Sequence, residues 1–251
     1  MGLSIYVGSK ETASFLAATH VAGSMNSEHS PCVGLATGSS PTIMYNDLLD
    51  LHKQKKVDLY KASYVMLDEY LALEPNSRFS FRKHLLNTFL TKFEYNVERF
   101  VYPEIEELDS QEIILNYLKS LEGLSVTLQI LGIGRNGHIG FNEPGSPFDI
   151  KVQVVDLSLT TKKDMFNNGW PINSIPDRAV TQGIGQILEA KSIVLLVFGS
   201  NKAKALSDAI EGPISVECPA SALRLHNNVK IYADLDAIKL LTGTTFEYIE
   251  N

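Results

Sequence analysis

Cysteine is scarce in this chain: Cys32 and Cys218 are the only two in 251 residues. Two thiols so far apart form neither a disulfide framework nor a metal knuckle, and both are expected to be buried and free. A basic excess is also missing. With 22 Lys and Arg against 29 Asp and Glu the net charge is −7, and like charges do not run together. Long-range attraction to nucleic acid or anionic lipid is therefore excluded, so a bound anion must be captured by local groups. No segment approaches the roughly 18 uninterrupted apolar residues of a membrane span, and the opening MGLSIYVGSKETASF lacks a charged-then-apolar signal. A cytoplasmic protein is the expectation. The Gly-x-Ser-x-Gly elbow, the His-Glu-x-x-His pair and the Gly-x-x-x-x-Gly-Lys-Ser/Thr loop are absent too. Serine hydrolase, zinc protease and P-loop chemistry lose their support.

What is present is a 44% hydrophobic chain without internal repeat, low-complexity tract or linker, read as a single domain over residues 1–251. Apolar runs of strand length occur at residues 3–7, 32–36, 64–67, 126–131, 152–156, 193–198 and 229–233. Helical spacing lies between them, with Met44, Leu48 and Leu51 on one face, Val180, Ile184 and Ile187 on another, and Ala203, Leu206 and Ile210 on a third. This alternation predicts an α/β fold: an open, mostly parallel, doubly wound (Rossmann-like) sheet with helices on both faces. The run at 229–233 alternates apolar residues with Lys230 and Tyr232, which predicts one wet face and a place near an edge.

In such sheets ligands collect beyond the carboxyl ends of the strands. Four strand ends carry polar residues without an obvious structural task. In VGLATGSSPTIMY, residues 33–45, a strand runs into Thr37, Gly38, Ser39 and Ser40, and Pro41 sits where the first helical residue should be; free backbone donors and hydroxyls there fit a phosphate, unless Ser39 or Ser40 is only an N-cap. In VMLDEYLAL, residues 65–73, Asp68 and Glu69 point to opposite sides, so one faces the cleft while the other caps a helix or meets solvent. A cleft carboxylate with its pKa raised by burial serves as a general base. In FGSNKAKAL, residues 198–206, Lys202 sits where a helix begins, against the helix dipole, and a bound anion would explain it. In LGIGRNGHIGFNEPG, residues 131–145, His138 and Glu143 are the titratable pair, with Asn136, Asn142 and glycines around them.

The last stretch also matches the glycine spacing of a dinucleotide-binding fingerprint. That motif needs a long helix after its third glycine, and Pro144, Gly145 and Pro147 leave no room for one. The nucleotide reading falls, and an active-site loop shaped by glycines replaces it. A metal held by His138 and Glu143 would lack a third ligand.

Together, LATGSSP, LDEY, LGIGRNGHIGFNEPG, GIGQIL, GSNKAKAL, EGP and PASALRLH resemble, in order and spacing over about residues 33–233, the glucosamine/galactosamine-6-phosphate isomerases, the amino-sugar phosphate deaminases. The resemblance implies an enzyme that opens a 2-amino-2-deoxyhexose 6-phosphate, moves a proton from C2 to C1 and releases ammonia and a ketose 6-phosphate. It implies that Asp68 takes the C2 proton, that His138 opens the ring with Glu143 holding it, and that Asn136 orients His138 where many relatives carry Asp. Residues 37–40 and Lys202 would hold the phosphate, and no cofactor is required. The only implied partner is a small-molecule sugar phosphate, without nucleic acid or membrane, in a monomer or small homo-oligomer. TTKKDMFNNGWP lacks an arginine that glucosamine-type members place beside the phosphate, which tilts the resemblance toward the galactosamine-6-phosphate branch and leaves Lys162 or Lys163 as its substitute. The segment from Phe148 to Val154 lacks the basic pair that binds an activator in allosteric hexamers, so no such activation is implied. A 6-phosphogluconolactonase is the rival, although Gly140-Phe-Asn-Glu-Pro follows His138 where lactonases carry a small polar residue and then Leu-Phe-Pro. A sugar-phosphate sensor comes third, without a helix-turn-helix or basic face to bind DNA.

Overall fold

The computed structural model describes residues 2–73, 77–106, 108–167 and 169–249. The strands are β1 (Leu3–Gly8), β2 (Cys32–Leu35), β3 (Ser63–Met66), β4 (Asp68–Tyr70), β5 (Phe100–Val101), β6 (Leu128–Gly132), β7 (Val152–Asp156), β8 (Arg178–Gln182), β9 (Ile193–Val197), β10 (Val229–Asp234) and β11 (Glu247–Tyr248). Eight of them pair in the order β11-β1-β10-β9-β6-β2-β3-β5, and every pairing in that sheet is parallel. The helices that matter for the site are α1 (Lys10–Ser27), α2 (Ser39–Lys53), α3 (Phe81–Thr88), α4 (Ser110–Leu121), α5 (Leu159–Asn167), α6 (Ile184–Ile187) and α7 (Ala203–Ile210).

Burial on both faces explains the uninterrupted apolar strands. Along β9, Val194 and Leu196 join one core with residues of α1 and α2, while Ile193, Leu195 and Val197 join another with residues of α4, α6 and α7. Alternate side chains thus feed two cores, each buried aliphatic contributing about 1.5–3 kcal/mol. The predicted doubly wound sheet is what forms. From β2 the chain winds toward one edge through β3 and β5, then returns to β6 and winds the other way through β9 and β10. The reversal lies between β2 and β6, where such sheets open a crevice.

Three expectations fail for one reason, that apolar spacing reports burial but not the pairing partner. Residues 152–156 do form a strand, yet β7 joins β8 and β4 in a separate antiparallel sheet. Val180 lies on β8, and Ile184 and Ile187 lie on the single turn of α6; the three share a core without sharing a helix. β10 is interior, between β1 and β9. Its Tyr232 is buried and stacks on Tyr6 with centroids 5.2 Å apart, and Lys230 Nζ donates to His20 Nδ1 of α1 at 3.1 Å. Cys32 is buried and Cys218 half-buried, and both are free. Among the described residues no helix is long and apolar enough to cross a membrane.

Two glycines separate backbone crowding from helix propensity. A Cβ on Gly183, the joint between β8 and α6, would lie 2.1 Å from the Ile150 carbonyl oxygen, whereas one on Gly23 in α1 meets nothing within 4 Å. Gly183→Ala is expected to destabilise by ~1–3 kcal/mol. Gly23→Ala is expected to stabilise by up to ~1 kcal/mol, both read from urea unfolding midpoints.

Candidate active site

The four stretches singled out in the sequence follow β2, β3, β6 and β9, and these strands are contiguous in the sheet as β9-β6-β2-β3. Parallel pairing therefore brings their carboxyl ends to one place. After β2, helix α2 starts at Ser39 with Gly38 as its N-cap at φ +112° and no side-chain cap. Among the described residues the hydroxyls of Thr37, Ser39 and Ser40 make no hydrogen bond, so neither serine is spent as a cap and the positive helix end stays open. After β9, Asp234 accepts the Gly199 N–H with both oxygens, at 3.0 and 2.8 Å, and fixes the loop that carries Lys202. The half-buried Lys202 ammonium has no ion pair or hydrogen bond among the described residues. Burial lowers its pKa first of all; Asp164 opposes that shift and Arg135 adds to it.

Beyond β6 the chain forms a loop rather than a helix. Gly134 is required by His138, because a Cβ there would lie 2.2–2.4 Å from the imidazole ring atoms. Gly140, at φ +57°, brings the same loop against β8 and β4: its missing Cβ would stand 2.8 Å from Thr181 Oγ1 and 3.5 Å from Asp68 Oδ2. The fully buried Asn142 staples the loop down, donating to the carbonyls of Ile139 and Gln182 at 2.9 Å each and accepting from Gln153 Nε2 at 2.8 Å.

Glu143 is caged. Asn136 Nδ2 donates to Oε2 at 2.6 Å, and Oε1 accepts from Ser158 Oγ at 3.1 Å and from Thr161 Oγ1. Burial alone would raise its pKa, but these donors and the His138 ring outweigh it and hold the carboxyl down at about 2. His138 Nδ1 is buried 3.4 Å from Glu143 Oε2, close enough for ion pairing but without hydrogen-bond alignment, which leaves Nε2 as the nitrogen open to a ligand. Asn136 reaches the histidine through the backbone, accepting the His138 N–H at 3.3 Å, and through Glu143 rather than at the ring.

One residue, Leu67, separates β3 from β4, so Asp68 sits where the large sheet hands over to the small one, paired with Thr181. The two adjacent carboxylates take opposite tasks. Glu69 accepts from Tyr70 N, Ser80 Oγ, Phe81 N and Arg82 N at 2.7–3.0 Å and so anchors the start of α3. Asp68 is buried and has no side-chain hydrogen bond among the described residues. Desolvation and the neighbouring Glu69 charge push its pKa up to about 8.

Sequence reasoning did not single out Ser158 and Thr161, which reach Glu143 from 15 and 18 residues away without a spacing signal. Lys162 Nζ is bound to Asp177 Oδ1 at 2.5 Å, and Lys163 is exposed. Arg135, which carries no spacing signal among the glycines, grips Asp164 with its guanidinium. Among the described residues no group of three or more His, Cys, Asp or Glu is placed to hold a metal ion.

A family model described as glucosamine-6-phosphate isomerases/6-phosphogluconolactonase matches residues 9–232. A glucosamine-6-phosphate deaminase of Oceanobacillus iheyensis is 35% identical over 230 residues, covering 91% of this chain and 92% of that protein. A solved structure of a monomeric glucosamine-6-phosphate deaminase superposes with a TM-score of 0.91 at 34% identity, covering 94% of this chain and 99% of that one. The 6-phosphogluconolactonase of Trypanosoma brucei shares the fold, with a TM-score of 0.76 at 17% identity over 96% and 98% of the two chains.

The raised pKa of Asp68 makes it a destabilising group at neutral pH. Between its ordinary value of 3.8 and about 8, the folded state keeps a proton that the unfolded chain has released. Stability is therefore lost as pH rises through that window. Asp68→Asn removes the effect, so its advantage over wild type in denaturant unfolding is expected to grow from pH 4 to pH 8, to on the order of a few kcal/mol, and then to level off.

Proposed function

The chain belongs to the glucosamine-6-phosphate isomerase/6-phosphogluconolactonase family, and within it we propose that this protein is an amino-sugar-6-phosphate deaminase acting on glucosamine 6-phosphate. The observation that carries this reading is the approach of Gly140 to Asp68, which sets a buried, unbonded carboxylate against the loop of a histidine backed by a low-pKa Glu143. The names of relatives at 35% identity support the glucosamine epimer. The galactosamine epimer rests on one absent arginine in residues 160–171.

In this reading the phosphate lies at the N-terminus of α2, taking the hydroxyls and N–H groups of residues 37–40 and the charge of Lys202. Ring opening needs one proton removed from the anomeric hydroxyl and one delivered to the ring oxygen. His138 Nε2 performs both transfers, and the fixed negative charge of Glu143 stabilises the imidazolium between them. Ionised Asp68 then removes the C2 proton from the open chain to give an enolamine. Buried from water, it holds that proton and returns it to C1. The resulting ketimine takes up water and releases ammonia and the ketose 6-phosphate, and the substrate's own amine and carbonyl serve as the electron sink.

Four outcomes are expected in assays of ammonia and ketose formation. Glucosamine 6-phosphate is turned over with a higher kcat/KM than galactosamine 6-phosphate; hydrolysis of 6-phosphogluconolactone without ammonia from either amino sugar replaces the proposal with the lactonase. The kcat/KM rises with pH through about 8 as Asp68 ionises. Asp68→Asn loses turnover by roughly a thousandfold or more while keeping sugar-phosphate binding, whereas His138→Gln slows the cyclic substrate more than the open-chain ketose in the reverse direction.

A further inference from the structure

A phosphate dianion held by Lys202 alone would lack a second cation, and the structure offers one that the sequence did not suggest. β6 and β9 are paired through Gly132 and Leu196, so the loops that follow them leave the sheet side by side. Arg135 lies three residues beyond the first of these positions and Lys202 six beyond the second. Arg135 holds Asp164 of α5 with two nitrogens, Nε at 3.0 Å to Oδ2 and the second to Oδ1. That planar two-point grip is the geometry with which a guanidinium takes phosphate. The pair is partly open to solvent, with side-chain exposures of 41% and 34%. An ion pair so exposed is weak and easily exchanged. Lys202 feels both charges, yet bonds to neither. Both cations therefore feel the one Asp164 carboxylate, and among the described residues Lys202 has no bonded partner.

We propose that Arg135 is a phosphate-binding residue whose guanidinium, parked on Asp164 in the unliganded protein, transfers to the phosphate beside Lys202. This rests on the reading of residues 37–40 and Lys202 as the phosphate site. Asp164 is then a competitor for the guanidinium and not a strut. The two members of the pair consequently have opposite effects on anion affinity, which a purely structural ion pair does not show.

Inorganic phosphate binding to the full chain, measured by titration calorimetry, reads this without turnover. Arg135→Ala is expected to weaken phosphate roughly ten- to hundredfold, with Arg135→Lys in between, and Asp164→Asn to tighten it several-fold. In turnover, Arg135→Ala raises KM for glucosamine 6-phosphate while kcat stays within about twofold. Equal weakening by Arg135→Ala and Asp164→Asn, or unchanged phosphate affinity in a folded Arg135→Lys variant, overturns the proposal. Ammonia release with phosphate affinity insensitive to Arg135 defeats this inference and leaves the deaminase standing. Loss of phosphate affinity on Arg135→Ala in a chain that releases no ammonia does the reverse.

Discussion

Parallel pairing of β9, β6, β2 and β3 is the constraint on which the site depends. Four strands running the same way deliver four loops to one end, and none of those loops touches the others in sequence. Each arrives with a different chemical endowment: an open helix start, a lone lysine, a histidine on a glycine-shaped loop, and a carboxylate. The two cores that sandwich the strands hold this convergence in place, since a displaced strand would carry its loop with it.

Three carboxylates within this region show how environment assigns roles. Glu69 and Asp68 are neighbours in sequence and both buried, but among the described residues four donors converge on Glu69 and none on Asp68. Glu143 lies between these extremes of use, half-buried yet surrounded by an amide, two hydroxyls and an imidazole that keep its charge in place. A buried carboxylate with a raised pKa, a helix anchor and a carboxylate held at low pKa are thus made from the same functional group. Counting acidic residues near a cleft would not distinguish them; counting donors does.

The sequence showed the strand ends clearly because glycines, hydroxyls and charges interrupt apolar runs there. Alternation of side chains on a strand also foretold that Asp68 and Glu69 would point to opposite sides, and Glu69 is the one that caps a helix. Pairing partners were another matter. Residues 152–156 and Val180 have apolar patterns that reflect burial in a small antiparallel sheet, and nothing in those patterns names that sheet. Ser158 and Thr161 were illegible for a related cause, because an ordinary hydroxyl acquires its task only when folding carries it to Glu143. Arg135 was illegible for the same cause, because its partner Asp164 lies 29 residues away.

The joint at Leu67 has one more consequence. The loops 37–40 and 199–202, proposed to hold the phosphate, ride on the large sheet, whereas Asp68 begins the small sheet and the His138 loop is fastened to that sheet through Asn142 and Thr181. Under the proposed phosphate placement, the step from one sheet to the other sets how far along a ligand Asp68 and His138 act. The length of a ligand is then selected by the spacing of backbone elements, ahead of any single hydroxyl.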